Sequence, residues 1–66
     1  LNDFEGALID YKKIVELDPK SGSAINSCGL CQYKLNMVEE ACESFRKAVE
    51  VGGSKAAVNN VANFCK

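Results

Sequence analysis

The chain has 66 residues, of which 47% are hydrophobic and 26% charged, with a formal net charge of -1. That balance describes one ordinary soluble unit, although a chain near this length buries only about 60% of the surface its unfolded form exposes and is marginal without a disulfide, a metal or neighbouring structure. Like charges come no closer than pairs such as Lys12 with Lys13 and Glu39 with Glu40, which excludes the basic footprint of a nucleic-acid or anionic-membrane binder. No apolar run approaches the roughly 18 residues of a membrane span.

The first predicted element carries Phe4, Ala7, Leu8, Tyr11, Ile14, Val15 and Leu17, a spacing with the helical period rather than the alternation of a strand. Asp3 is its expected N-cap, and Pro19 forces it to stop near Asp18, because the residue before a proline is pushed out of the α region. A second helix is predicted from Ala24, Ile25, Cys28, Cys31 and Leu35. It starts at Ser21 or Ser23 and ends at Asn36, a residue able to take the left-handed conformation. The third, with Val38, Ala41, Cys42, Phe45, Ala48, Val49 and Val51, runs to the Gly52-Gly53 pair. Ser54 is the expected cap of a fourth, containing Ala57, Val58, Val61, Ala62 and Cys65. The reading is therefore all-α, with short loops that make consecutive helices antiparallel neighbours.

The pattern repeats. Ala7 and Tyr11 lie 34 positions before Ala41 and Phe45, and Leu1, Ile14 and Leu17 stand in the same relation to Leu35, Ala48 and Val51. With this period, and with Ala-x3-Tyr, Ala-x3-Phe, Cys28-Gly29 and Pro19 in their places, the sequence resembles the tetratricopeptide repeat family, a helix-turn-helix unit of about 34 residues. Val61-Ala62 occupies the place of Cys28-Gly29 in the next copy. Ile25 stands where the family usually has tryptophan, Gln32 where it has tyrosine, with Tyr33 one step later, and Gly53 where the closing proline would fall.

The resemblance implies an α-solenoid of about four helices, roughly two repeats. Residues 1–21 would be the second helix and turn of one repeat, 22–54 a complete repeat, and 55–66 the first helix of another. Since residue 1 is leucine and the sole methionine is Met37, a segment of a longer protein is expected. Leu8, Leu17, Phe64 and Cys65 are then expected to need partners from outside the segment, because each repeat buries its apolar face only against neighbours.

In such a solenoid the first helices line a concave groove. The resemblance places Ser23, Asn26, Leu30 and Tyr33 on it from the complete pair, and Ala56, Asn59, Asn63 and Lys66 from the last helix. Asn26, Leu30, Tyr33, Asn59, Asn63 and Lys66 are thus the candidate partner-binding residues. Asparagine amides offer donor and acceptor to the main chain of a peptide, and Leu30 with Tyr33 an apolar shelf. The family's two-carboxylate clamp, which grips a chaperone's C-terminal aspartate, is not matched, since Ser23, Asn26, Ser27, Leu30, Ala56 and Asn60 include no cation. Nor is the groove basic, as the similar RNA-reading helical repeats would require.

The competing chemistry lies in Cys28, Cys31, Cys42 and Cys65, which could supply a four-thiolate zinc site or a redox pair. Cys28 and Cys31 fall mid-helix at positions where the family packs small residues, so all four are expected to be reduced, buried thiols in a reducing cytoplasmic compartment. No cofactor is expected. With no histidine and no nucleophile-base pair, the segment reads as a protein-binding scaffold module rather than an enzyme.

Overall fold

Asp3 opens the first helix as its sequence suggests: its Oδ1 accepts the Gly6 N–H at 2.9 Å, satisfying one orphan donor of the first turn. In the computed structural model, which describes residues 3–52 and 55–65, four helices follow in chain order: α1 Phe4–Leu17, α2 Gly22–Lys34, α3 Val38–Glu50 and α4 Lys55–Phe64. Helix α1 stops one residue before Asp18, ahead of Pro19. Ser21 caps α2 through Oγ, which accepts the Ala24 N–H at 3.3 Å.

Helix α2 ends on Asn36 at φ 64°. The Met37 N–H reaches back to the Gln32 carbonyl at 2.8 Å and the Asn36 N–H to that of Tyr33 at 3.1 Å. These two bonds close a Schellman motif, which turns the chain sharply into α3. After α3, Gly52 sits at φ 78°, a conformation that costs glycine nothing. The expected roles of Leu1, Gly53, Ser54 and Lys66 lie outside the described residues.

Helix α2 is the hub, packing on α1, α3 and α4. Towards α1, Leu8 is buried with Cys28 and Cys31. On its other side, Ile25, Ala48 and Ala57 join α2, α3 and α4. Phe45 is the largest fully buried side chain, and it lies over Gly29, where an added Cβ would come within 2.5 Å of its Cε1. This is the close approach of a small residue on the first helix of a pair to an aromatic on the second.

Two expectations about the ends need correction. Leu8 is already buried within the chain at 7% exposure, whereas Leu17 is 88% exposed. Phe64 and Cys65 also find partners inside: the Phe64 ring is 4.3 Å from Tyr33 and 5.9 Å from Phe45, and Cys65 is bridged to Cys42. The reason is geometric, since α4 lays its inward face on the pair α2 and α3.

Candidate functional site: the face shared by α2 and α4

On a helix, residues three and four apart share a face. In α2 the face towards α1 is Ala24, Cys28 and Cys31, and the face towards α3 is Ile25, Gly29 and Gln32, all of them buried. What remains outward is Ser23, Leu30 and Lys34, all exposed, with Leu30 at 39%. In α4 the inward side carries Ala57, Asn60, Val61 and Phe64, and the outward side Ala56, Asn59 and Asn63, which are exposed. The exposed residues of the two helices thus include Ser23, Leu30 and Lys34 of α2 and Ala56, Asn59 and Asn63 of α4.

A polar and aromatic seam joins the two helices. Asn60 Nδ2 donates to Asn26 Oδ1 at 2.9 Å, and further along the helices Tyr33 stacks on Phe64 with the planes tilted by 36°. Asn26 is only 7% exposed. The expectation that its amide lies open to a partner is thus corrected: a buried amide must be paired, and Asn60 pairs it. Tyr33, expected to form a shelf with Leu30, is half-buried and held by Phe64. Lys66 lies outside the described residues.

The sequence marks Phe64 as an end residue and Asn60 as a clamp position, and neither marking carries the seam roles they take. Asn26 and Asn60 are 34 apart, so the repeat period itself placed an amide opposite an amide. The other buried polar side chain, Gln32, accepts a hydrogen bond from Ser44 Oγ at 2.5 Å. Among the described residues no buried side-chain polar atom lacks a partner.

The four cysteines divide between two places. Cys42 and Cys65, with Cα atoms 5.5 Å apart, form a disulfide between α3 and the end of α4, which corrects the expectation of four reduced thiols. Once α4 folds back on α3, the two residues fall within the separation that a disulfide spans. Cys28 and Cys31 are free and buried against Leu8. Burial raises both thiols above their usual range, and the neighbouring Cys31 raises Cys28 further, against a smaller opposing effect of Lys12. The division brings no four-thiolate tetrahedron together. Since thiolate is the reactive form, neither Cys28 nor Cys31 is expected to alkylate in the native chain at neutral pH. Unfolding should expose both to iodoacetamide, read by intact mass.

With this geometry in view, a comparison with protein families bears on the chain: the family model described as tetratricopeptide repeat matches residues 23–51. Residues 23–51 form a tetratricopeptide repeat. No curated protein matches the chain, and no solved structure does. The repeat's Gly29 and Phe45 contact, its Ala41 and Ala48 at zero exposure and its α2-to-α3 hairpin are the interior of that unit. Helices α1 and α4 flank the repeat on either side. The four helices make the fold all-α, with no strand among the described residues.

Proposed function

We propose that this tetratricopeptide segment is a non-catalytic protein-binding module that takes an extended or helical stretch of a partner protein along the concave surface of α2 and α4. The observation that carries the reading is the pairing of α2 with α4 into one surface. The Asn26–Asn60 bond and the Tyr33–Phe64 stack fix the helices side by side, leaving Asn59 and Asn63 of α4 and Leu30 of α2 exposed. A rigid seam supports binding because side chains held in place lose less entropy when a partner arrives.

Asn59 and Asn63 each offer two donors and an acceptor, enough to pair with peptide main chain irrespective of its sequence. Leu30 supplies an apolar contact at the strip's other edge. This division between main-chain hydrogen bonds and a side-chain contact is how a groove holds a segment without chemistry. The family's usual role in protein-protein interaction supports the reading.

Replacing Asn59 and Asn63 together by alanine is expected to weaken binding of the partner segment about fivefold to a hundredfold, from two hydrogen bonds at about 0.5–1.5 kcal/mol each. Helical circular dichroism should not change, because both side chains are exposed. Titration calorimetry checks the prediction, and an unchanged affinity removes these amides from the interface.

A further inference from the structure

The bridge between Cys42 and Cys65 takes no part in the proposed binding surface, and it ties down a helix that buries little of its own side-chain surface. Helix α4 has ten residues, shorter than the roughly 12–15 at which an isolated helix becomes even marginally stable. Among its described residues only Ala57 is fully buried, while Val58, Asn59, Ala62 and Asn63 are exposed. Cys65 follows immediately after its last residue, so the bridge ties down the end remote from the turn.

We propose that Cys42 and Cys65 form a redox-operated clasp, in which thiol-disulfide exchange with a small-molecule disulfide such as oxidised glutathione decides whether α4 is docked on α3. The balance is simple. One protein thiolate attacks the small disulfide and expels one small thiolate, and the other protein thiolate then attacks the mixed disulfide and expels the second. The two protein cysteines lose two electrons and two protons, and the oxidant leaves as two thiols. Excess reduced thiol runs the steps backwards.

Access favours this pair through Cys65. An open hollow of about 380 Å³, bounded by Val38, Arg46 and Phe64, reaches both Cys42 and Cys65. Cys65 is itself only half-buried. Cys28 and Cys31 are 5% and 6% exposed and packed under α1, while Cys28 also borders an open hollow, so the Cys65→Ser variant is what tells the two pairs apart. Closing the clasp links residues 23 apart in sequence and removes the open states in which α4 leaves α3. Release would part Asn60 from Asn26 and Phe64 from Tyr33, yet the clasp stands on α4's docking alone and does not depend on any partner.

The test uses the full chain equilibrated with excess oxidised or excess reduced glutathione, followed by alkylation after unfolding and by hydrogen exchange. Oxidised protein should alkylate at two of its four cysteines and protect the amides of α4 at least about tenfold more than reduced protein. The amides of α2 and α3 should change much less. Cys65→Ser should show the low α4 protection in both conditions, which separates the bridge from any oxidation at Cys28 or Cys31. Four alkylated cysteines under oxidised glutathione would overturn the proposal. So would a bridge that forms while α4 exchanges at the reduced protein's rate.

Discussion

Phe45→Ala is expected to destabilise the chain by about 3–5 kcal/mol, the usual range for removing a buried aromatic. Phe45 has no exposed surface, lies against Gly29 and touches the Phe64 ring. A glycine has no atoms with which to fill the space left behind, so the hole would relax poorly and the cost should lie at the upper end. Against a total stability of about 5–15 kcal/mol for ordinary domains, and less for a unit this small, such a loss removes most of the folded population. Urea unfolding followed by helical circular dichroism reads it directly, as a lower midpoint or the absence of a cooperative transition. An exposed control such as Glu43→Ala should change stability by no more than about 0.5 kcal/mol.

The second large effect runs in the opposite steric direction. A Cβ at Gly29 would meet Phe45 Cε1 at 2.5 Å and Cδ1 at 2.7 Å, well inside contact distance, and Phe45 has no room to retreat. Gly29→Ala should therefore cost about 1–3 kcal/mol of overpacking, from which roughly 1 kcal/mol is recovered by the better helix propensity of alanine. A net loss is expected where an open helical site would show a gain. Shrinking the neighbour distinguishes the mechanism: Gly29→Ala with Phe45→Leu should be less destabilised than the sum of the two single changes, by a coupling of about 0.5–3 kcal/mol. Strict additivity in the same urea experiment would separate the two residues energetically and undo the close-approach account.

The helices and their caps were legible in the sequence because they depend on local rules. Asp3, Ser21 and Asn36 act through backbone groups within a few residues of themselves, and the period of Leu8, Cys28 and Phe45 along their helices records which face is dry. The contact of Gly29 with Phe45 was readable too, since a small and a large residue recur at the spacing of a known repeat. What the sequence concealed was the position of α4. Phe64 and Cys65 carry no local sign of whether they face solvent, another repeat or α3. Only the packing of α4 on α2 and α3 decides, and it brings them to Tyr33, Phe45 and Cys42.

The same long-range placement reshaped the binding surface. Composition marks asparagines as groove candidates but not which of them the fold consumes. Asn26 is spent on Asn60, whereas Asn59 and Asn63 remain exposed. Within α4, Asn60 is paired while Asn59 beside it and Asn63 three residues on are left open. A scan by residue type could not draw that distinction, because burial is set by the crossing of α4 over α2.

The central claim is that a partner lies along α2 and α4 rather than on the outer helices, and site-specific photo-crosslinking in cells tests it most directly. A photoreactive phenylalanine analogue would be placed singly at Leu30 or Asn63 on the concave strip, and at Lys13 or Glu40, exposed positions of α1 and α3. The account predicts adducts of one common partner from Leu30 and Asn63, reduced when Asn59→Ala is added, and none from Lys13 or Glu40. Adducts from Lys13 or Glu40 with none from Leu30 and Asn63 would contradict it.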